Sequence, residues 1–475
     1  MRPQIFGING VRGKANVWPI TADVVLRLGQ AAGQCFKRSG RSNSVVIGKD
    51  TRVSGYMIET ALTADFASVG MDVILTGPLP TPAIGMLTRS LRANLGVMIS
   101  ASHNPFEDNG IKLFGPDGFK LCDAEETAIE VLLERPYDVV EPSLIGRARR
   151  IDGAAERYIN FSQQALPRDI RLDGLKVVMD AANGAAFRMA PNLIWELGAE
   201  VIQIGTDHNE RNIKDNLGSS APDSYCAKVL EVGADIGIAL DGDADRVIVI
   251  DEKGKVRDGD QLMALIAERL KSQDCLAGST LVTTVMLNMG LEQHLAGHGI
   301  AVDRTKVGDR YVMERMRAKK YNLGGEQSGH IVMDDIATTG DGLIVGLQAL
   351  AAMVETGLSA SEILARFEPL QQVIRNIAID RSSTPLERPA VSALISEMTA
   401  ALGDKGQLVV RPSGTRLLIS VMAQGHDLGL LQKMTLDLER VIRAETVLQQ
   451  RNQSWAHEIH SLKQPMADGA RSVST

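Results

Sequence analysis

Aromatic side chains are scarce in this 475-residue chain and make up only 4% of it. A surface that stacks sugar rings or single-stranded nucleic-acid bases needs several aromatic rings, so the composition argues against both. The formal net charge is −7, which gives the protein as a whole no attraction for nucleic acid or anionic lipid. An anionic substrate therefore requires a local cluster of Arg, Lys and His.

Cysteine is also rare, and the four cysteines have no CxxC spacing and no neighbouring histidine: Cys35, Cys122, Cys226 and Cys275. This spacing excludes a zinc knuckle and a thioredoxin-like motif, and dispersed thiols fit a reducing compartment. Residues 1–12 contain no apolar core of a signal peptide, and the apolar stretch 343–354 is too short to cross a bilayer. We expect a soluble, cytoplasmic protein that has no membrane or nucleic-acid partner.

The chain is too long for a single hydrophobic core, so three or four domains are expected. Its recurring pattern is a short apolar run, a polar or glycine-rich loop and an amphipathic helix. This pattern indicates α/β units with buried, largely parallel strands. It occurs three times, in blocks that start near Val45, Lys176 and Leu281, and around residues 359–369 it changes to alternating strands.

These changes predict α/β domains at residues 1–150, 151–252 and 253–367, followed by a smaller α+β domain at 368–450. The remaining residues, 451–475, are polar and are expected to be frayed. In α/β sheets ligands bind beyond the carboxyl ends of the strands. The polar motifs of this chain stand at those strand ends.

The first motif, residues 96–112, reads GVMISASHNPFEDNGIK and places Ser102 and His103 in a turn directly after an apolar strand. A serine hydroxyl there is exposed, next to His103 and within reach of Lys112. Such a hydroxyl can accept and return a phosphoryl group through a covalent intermediate. Read alone, the motif is equally well explained as a simple turn built by Ser102, Asn104 and Pro105.

The second motif, residues 235–250, holds Asp241, Asp243 and Asp245 between two apolar strands. In an extended segment alternate side chains share a face, so the three carboxylates are expected to converge and to require a cation. Oxygen ligands favour Mg²⁺ or Ca²⁺, and Mg²⁺ commonly keeps phosphate oxygens as further ligands. Arg246 stands where an EF-hand loop needs glycine, so that interpretation fails, and a solvated turn without metal is the remaining alternative.

Three further motifs are weakly specific when each is read alone. Residues 322–331 form a glycine-rich loop suited to gripping sugar hydroxyls through Glu326, Ser328 and His330. Residues 409–416 resemble an anion cradle that consists of Arg411, Ser413, the amide of Gly414 and Thr415. Residues 5–14 contain glycines that let Arg12 approach a second anionic centre. A plain loop or turn is the alternative in each case.

The order of these motifs resembles the α-D-phosphohexomutase superfamily over essentially the whole chain, and within it the branch that acts on glucosamine phosphates. The motifs that carry the resemblance are SASHNP, DGDADR, VGDRYV, GGEQSGH and RPSGT. The resemblance implies an α/β fold with three similar α/β domains plus a smaller C-terminal α+β domain around a central cleft.

The resemblance also implies a role for each motif. Ser102 would be the phosphoserine and would share one Mg²⁺ per chain with Asp241, Asp243 and Asp245. The transferring phosphoryl group would be surrounded by Arg12, His103, Lys112 and Arg246. The substrate would be bound by Glu326, Ser328, His330, Arg411, Ser413, Gly414 and Thr415.

The implied activity is that of an isomerase, the interconversion of glucosamine 6-phosphate and glucosamine 1-phosphate with glucosamine 1,6-bisphosphate as primer and intermediate. Its product would feed the synthesis of UDP-N-acetylglucosamine and cell-wall precursors. The substrate partner is then a small phosphosugar, and a monomer or homodimer is expected.

Two alternatives stay open because the sequence departs from the family pattern. Ile8 and Asn9 replace the usual Thr and Asp, and the phosphate loop continues with Arg416 and Leu417, with Ser420 where an arginine is usual. The first alternative is the same chemistry on glucose or mannose phosphates. The second is a weakly active sugar-phosphate-binding paralogue. A phosphatase is disfavoured because a separate serine carrier is present.

Overall fold

The computed structural model describes residues 5–7, 10–40, 42–135, 139–379, 383–412 and 418–462, without the side chains of 223–224 and 449–462. The chain divides into two compact units, Met1–Glu368 and Pro369–Thr475. The first unit contains three mixed β-sheets, and the second contains one antiparallel sheet. The predicted fold class, three α/β domains followed by a smaller C-terminal α+β domain, is confirmed.

The first sheet has seven strands: β1 Phe6–Gly7, β2 Gly10–Lys14, β3 Ser44–Lys49, β4 Asp72–Pro78, β5 Leu95–Ile99, β6 Asp108–Phe114 and β7 Ala148–Arg150. Their order is β1-β2-β6-β5-β3-β4-β7, and β5, β3, β4 and β7 run parallel. The helices of this region are α1 Ala22–Phe36, α2 Ser54–Ser68, α3 Thr81–Ser90 and α4 Asp123–Leu133. Helices cover the sheet, so the central strands are continuous apolar runs.

The second sheet contains β8 Lys176–Asp180, β9 Glu200–Ile204, β10 Ile236–Leu240, β11 Val247–Asp251 and β12 Val256–Arg257 in the order β12-β11-β10-β8-β9. The third contains β13 Thr280–Thr284, β14 Ala301–Thr305, β15 Leu323–Gly325 and β16 Ile331–Met333 in the order β14-β13-β15-β16. The α-helices of this part are α5 Ala154–Gln163, α6 Met189–Glu196, α7 Asp223–Val232, α8 Gly259–Ser272, α9 Met289–Gly297, α10 Asp309–Lys319, α11 Gly342–Thr356 and α12 Ala360–Leu364. Short 3₁₀ turns lie at Pro142–Leu144 and Ala277–Ser279.

One feature repeats in all three sheets of the first unit. A strand that pairs in parallel with one neighbour is followed by an antiparallel strand on its other side: β5 by β6, β10 by β11 and β15 by β16. The connecting loops are residues 100–107, 241–246 and 326–330. These loops carry the serine motif, the aspartate motif and the proposed sugar motif, which gives the threefold sequence pattern its structural basis.

A continuous hydrophobic core joins the three sheets of the first unit. It contains buried residues from each sheet, among them Met98, Ile238 and Leu281, each 0% exposed. Helix α11 is apolar on nearly all sides, and it is accordingly buried through most of its length, in contact with β10, β11 and α8. The three motif loops are therefore attached to one packed body.

The second unit contains the antiparallel strands β17 Gln371–Ala378, β18 Gly406–Pro412 and β19 Leu418–Gly425 in the order β17-β19-β18. Helices α13 Pro389–Leu402 and α14 Leu428–Leu462 pack on them, and 3₁₀ turns lie at Pro385–Glu387 and Gly403–Lys405. Fraying was expected for residues 451–475; residues 451–462 continue helix α14, and residues 463–475 lie outside the described residues. In the described part of the chain, no helix has the length and apolarity needed to cross a membrane.

Candidate active site

Ser102 lies in the loop that follows β5, with its backbone in the left-handed region at φ +51°. This conformation costs a residue with a Cβ atom about 1–2 kcal/mol, so the surroundings must hold it in place. The sequence predicts an exposed hydroxyl here, but the residue is only 1% accessible. Its Oγ donates a hydrogen bond of 2.5 Å to Oδ2 of Asp241 and lies 3.5 Å from Nδ1 of His103.

Asp241, Asp243 and Asp245 lie in the loop between β10 and β11. This loop is a tight turn, with Ala244 at φ +56°, and not the extended segment that the alternating pattern predicts. The carboxylates converge nevertheless, since one ligand oxygen from each lies within 4.8 Å of the others. All three residues are buried. The turn therefore gathers three acidic groups beside the Ser102 hydroxyl.

The three carboxyl groups have different pKa values because Lys112 donates hydrogen bonds to only two of them, Asp243 and Asp245. Burial, with the charges of Asp245 and Asp243, raises the pKa of Asp241 well above its usual range. Burial also opposes ionisation of Asp243 and Asp245, but Lys112, helped by Thr81 at Asp243 and by His330 at Asp245, lowers the pKa of both carboxyls. The cluster thus carries more acidic groups than Lys112 neutralises.

This cluster has the properties of a site for a hard divalent cation. Its three candidate ligands are all carboxylate oxygens, the donor type that Mg²⁺ and Ca²⁺ prefer. Among the described residues, Oδ1 of Asp243 and Oδ1 of Asp245 are buried and have no hydrogen-bond partner. Buried polar atoms are nearly always paired, so these two oxygens fit a metal ion.

The predicted cationic residues surround Ser102 and the acidic cluster. Lys112 on β6 is 2% exposed and donates to Asp243 at 2.5 Å and to Asp245 at 2.8 Å. Burial alone would lower its pKa, but these two carboxylates raise it, so the amine stays charged. Arg246 brings its Nε to 3.8 Å from Asp245.

His103 is half-buried beside these groups. Burial, followed by the charges of Arg246 and Arg12, lowers the pKa of His103 to about 3. The imidazole is therefore neutral near pH 7. Arg12 lies on β2, which pairs with β6, and it is half-buried in the part of the first sheet next to Lys112.

The loop of residues 326–330 connects β15 and β16 and is anchored on both sides. The amide of Gly259 at the start of α8 donates to the carbonyl of Gln327 at 3.0 Å. The amide of Val247 donates to the carbonyl of Gly329 at 3.2 Å. Glu326 is 9% exposed and accepts the amide of Gly308 at 3.1 Å. Ser328 is exposed.

His330 lies next to Asp245 of the acidic cluster. It is 2% exposed, its Nε2 accepts the amide of Gly340 at 3.2 Å, and its Nδ1 lies 3.8 Å from Oδ1 of Asp245. The predicted contact of His330 with sugar stays a prediction. Arg411 lies half-buried on β18 in the second unit. Ser413, Gly414 and Thr415 lie outside the described residues, so their role also stays a prediction.

Sequence reasoning missed several residues that contact this site. The Thr81 hydroxyl donates to Oδ2 of Asp243, and Lys214 donates to the carbonyl of His103 at 2.6 Å. Lys120 forms an ion pair with Asp309, whose carboxylate lies 3.7 Å from His330. Arg52 binds the backbone of the Ser102 loop. Thr81 and Arg52 each lie three residues after the end of a strand, β4 and β3, and that position near the carboxyl end of a strand was the available signal.

Four family models match successive parts of the chain. They describe phosphoglucomutase/phosphomannomutase alpha/beta/alpha domain I at residues 3–138, domain II at 156–254, domain III at 258–370 and the C-terminal domain at 374–440. This chain belongs to the phosphoglucomutase/phosphomannomutase family. The predicted superfamily and its enzyme class, an isomerase that transfers a phosphoryl group, are confirmed.

Members of this family with high and low identity resemble the chain along nearly its whole length. A relative from Xanthobacter autotrophicus, named phosphoglucosamine mutase, is 55% identical over 445 residues, which is 93% of this chain and 99% of the relative. A family protein from Burkholderia thailandensis is similar in structure with a TM-score of 0.78 at 23% identity, covering 94% and 98% of the two chains. An Aspergillus fumigatus N-acetylphosphoglucosamine mutase, solved with GlcNAc-6P and magnesium, has a TM-score of 0.63 at 17% identity, covering 93% and 96%.

Proposed function

We propose that this family member is a phosphoglucosamine mutase that interconverts glucosamine 6-phosphate and glucosamine 1-phosphate through a phosphorylated Ser102. The observation that carries the proposal is the contact of 2.5 Å between the Ser102 hydroxyl and Asp241 in a buried cluster of three carboxylates. A nucleophile next to a candidate metal site is what a covalent phosphoryl carrier requires. The name of the relative with 55% identity supports the choice of the amino sugar.

We further propose that Asp241, Asp243 and Asp245, together with the phosphate on Ser102, hold one Mg²⁺ per chain. Bound there, the ion supplies positive charge to the transferring phosphoryl group. The Aspergillus enzyme was solved in complex with magnesium, which supports the choice of this ion.

The reaction consists of two transfers in opposite directions. In the first, the bond between phosphorus and Oγ of Ser102 breaks, and a new bond forms from phosphorus to the C1 hydroxyl oxygen of glucosamine 6-phosphate. The sugar hydroxyl loses its proton, the leaving Oγ of Ser102 gains one, and the product is glucosamine 1,6-bisphosphate. In the second transfer the Ser102 hydroxyl loses its proton and takes the C6 phosphoryl group, the C6 oxygen gains a proton, and glucosamine 1-phosphate is released.

The residues around Ser102 divide the work of these transfers. Lys112 stays charged and, with Arg12 and Arg246, stabilises the negative charge of the transferring group. His103 is neutral near pH 7 and its Nδ1 lies 3.5 Å from Oγ of Ser102, so it can accept the hydroxyl proton and pass it to Oγ as that oxygen leaves, and it can move a proton the opposite way in the second transfer. A group that is already protonated, as Lys112 is, cannot accept a proton.

The remaining assignments are proposals of the same kind. The sugar is bound by Glu326, Ser328 and His330. The phosphate that is not transferred is bound by Arg411, Ser413, Gly414 and Thr415. The domain boundaries at residues 150, 252 and 367 belong to the proposal as well. So do a location in the cytoplasm and a monomeric or homodimeric state.

An assay with three substrates tests the function. The purified protein is supplied with Mg²⁺ and a sugar bisphosphate primer, and kcat/KM is measured for the 6-phosphates of glucosamine, glucose and mannose. The proposal expects the highest kcat/KM for glucosamine 6-phosphate. A higher value for glucose or mannose would reassign the substrate, and no turnover of any of the three would contradict the proposed function.

A further inference from the structure

Arg52 is a buried arginine that contacts the backbone of the loop of residues 100–107 and does not contact the acidic cluster. It follows β3 and is 0% exposed. An arginine side chain is almost never fully buried unless it is paired. Its partner is Asp50, also buried, whose Oδ2 accepts from Nε of Arg52 at 2.8 Å. This pair therefore lies inside the protein and is shielded from water.

The other four N–H groups of Arg52 bind the loop of residues 100–107 and the residue after it. Each of its two terminal nitrogens donates to two backbone carbonyl oxygens: Nη2 to Ser102 at 2.9 Å and Asn104 at 2.7 Å, and Nη1 to Pro105 and to Asp108 at 3.1 Å. A guanidinium carries five N–H donors in a rigid plane, and all five are used here. One side chain thus fixes the path of the entire loop.

Asp50 holds the other side of Ser102. Its Oδ2 accepts from Oγ of Ser100 at 2.7 Å, and the same Oγ accepts the backbone amide of Ser102 at 2.9 Å. The carbonyl of Ser102 is bound by Arg52, and its amide is bound through Ser100 to Asp50. Ser102 is therefore restrained on both sides of the Cα atom that carries its unfavourable φ of +51°.

We propose that Arg52, oriented by Asp50, is a positioning residue that holds Ser102 in this conformation and so aims its Oγ at the acidic cluster. The inference rests on the proposed role of Ser102 as phosphoryl carrier. Arg52 acts through the loop backbone and touches neither the sugar nor the reacting atoms. Its loss should therefore lower kcat, because in-line transfer depends on the position of Oγ, while substrate binding is retained.

The test compares two variants that each shorten a buried arginine. Arg52→Lys keeps the charge, but the three N–H donors of lysine sit on one atom and cannot replace the planar set of five. Arg257→Lys is the matched control. Arg257 is 7% exposed, its Nε donates to Oδ2 of Asp251 at 2.9 Å, and its Nη2 forms an ion pair with the same oxygen at 2.8 Å. Each variant is measured for melting temperature, kcat, KM and amide hydrogen exchange of residues 100–104.

We expect Arg52→Lys to lower kcat by about 100-fold with KM unchanged and to speed hydrogen exchange in residues 100–104. Arg257→Lys should have a lower melting temperature than wild type but the same kcat and the same slow hydrogen exchange in this loop. Wild-type kcat in folded Arg52→Lys, or unaltered exchange in its loop, would overturn the proposal. If the wild-type protein turns over no sugar phosphate, the proposed function fails, and the exchange measurement still decides the role of Arg52.

Ser100→Ala keeps the test decisive if Arg52→Lys does not fold. It removes the acceptor for the Ser102 amide without leaving a buried charge unpaired. The expected result is again a lower kcat with unchanged KM and faster exchange at Ser102. Wild-type values for both would overturn the proposal.

Discussion

The hydroxyl of Ser102 and the carboxylate of Asp241 are joined by a hydrogen bond of 2.5 Å although they lie 139 residues apart in the chain. Each belongs to the loop of a different sheet, and both loops leave a parallel strand to enter an antiparallel one. The contact links two weak sequence motifs, a serine turn and an acidic turn. Together they form a nucleophile beside a candidate metal site, and the proposed mutase reaction depends on this combination.

The first prediction concerns Lys112, which donates to two of the three proposed metal ligands, Asp243 and Asp245. Lys112→Met removes a positive charge that competes with the ion, so we expect unphosphorylated protein to bind Mg²⁺ about tenfold more tightly at pH 8. We also expect kcat to fall, because the charge no longer stabilises the transferring group. Isothermal titration calorimetry and steady-state assays measure the two effects.

Lys49→Met is the control for this variant. Lys49 is also buried, at 3% exposure, but it pairs with Glu59 at 2.6 Å and not with the acidic cluster. Its loss should leave the affinity for Mg²⁺ unchanged. Weaker Mg²⁺ binding in Lys112→Met than in wild type would show that the lysine does not oppose the ion.

The second prediction concerns the protonation of His103. Its pKa is lowered to about 3, first by burial and then by Arg246 and Arg12. In the protein without substrate, we expect its imidazole NMR signals to stay in the neutral form from pH 5 to 8. The signals are assigned by their loss in His103→Gln. A titration midpoint inside that range would contradict the lowered pKa of His103, and an imidazole that is charged throughout the range would also refute its role as proton acceptor.

The third prediction tests the anchoring of the loop of residues 326–330. A Cβ atom added at Gly259 would lie 2.4 Å from the carbonyl oxygen of Glu326 and 2.7 Å from the amide of Gly329. Gly259→Ala must therefore displace the loop, and we expect KM for the sugar phosphate to rise about tenfold. Gly297→Ala, where the added atom meets nothing within 4 Å, should leave KM unchanged. Equal KM values in both variants would argue against a substrate-binding loop.

The fourth prediction concerns stability and pH. Asp65 on α2 is 4% exposed, its Oδ2 has no hydrogen-bond partner among the described residues, and burial raises its pKa from 3.8 to about 7. The native state thus prefers the neutral acid. The stability that this group contributes is complete below pH 3.8 and is lost as the pH rises through about 7.

Asp65→Asn keeps the shape of the side chain and removes its charge. At pH 8 we expect its free energy of unfolding to exceed that of wild type by about 1–2 kcal/mol, and we expect the gain to disappear toward pH 4. Urea unfolding at the two pH values measures the difference. A gain of the same size at both would mean that ionisation of Asp65 is not its cause.

Much of the fold was predictable because the strands are buried on both faces. The apolar runs near Val45, Lys176 and Leu281 became β3, β8 and β13, since helices cover both faces of such sheets. The order of the motifs identified the family before any geometry was known. Ser102 and the three aspartates were singled out because polar groups at the ends of buried strands mark ligand sites, although their two loops belong to different sheets.

The residues that act at a distance were not predictable, and the reason is physical. The position of Arg52 after β3 marks it as a site residue, but its bonds to four backbone carbonyl groups cannot be read from the pattern of side chains. The alternating pattern of residues 241–245 fits both an extended segment and the tight turn that the structure shows, so it could not distinguish them. His330 alternates with Ser328 in sequence, yet the tight loop exposes Ser328 and buries His330.

The most direct test of the account is the chemical state of Ser102 during turnover. The protein is incubated with Mg²⁺ and glucosamine 1,6-bisphosphate that is radiolabelled in both phosphates, and the labelled residue is identified by peptide mapping. We expect label on Ser102 that is released when unlabelled glucosamine 6-phosphate is added, and neither label nor turnover in Ser102→Ala. Normal turnover in Ser102→Ala, or label on another residue, would contradict the phosphoserine mechanism.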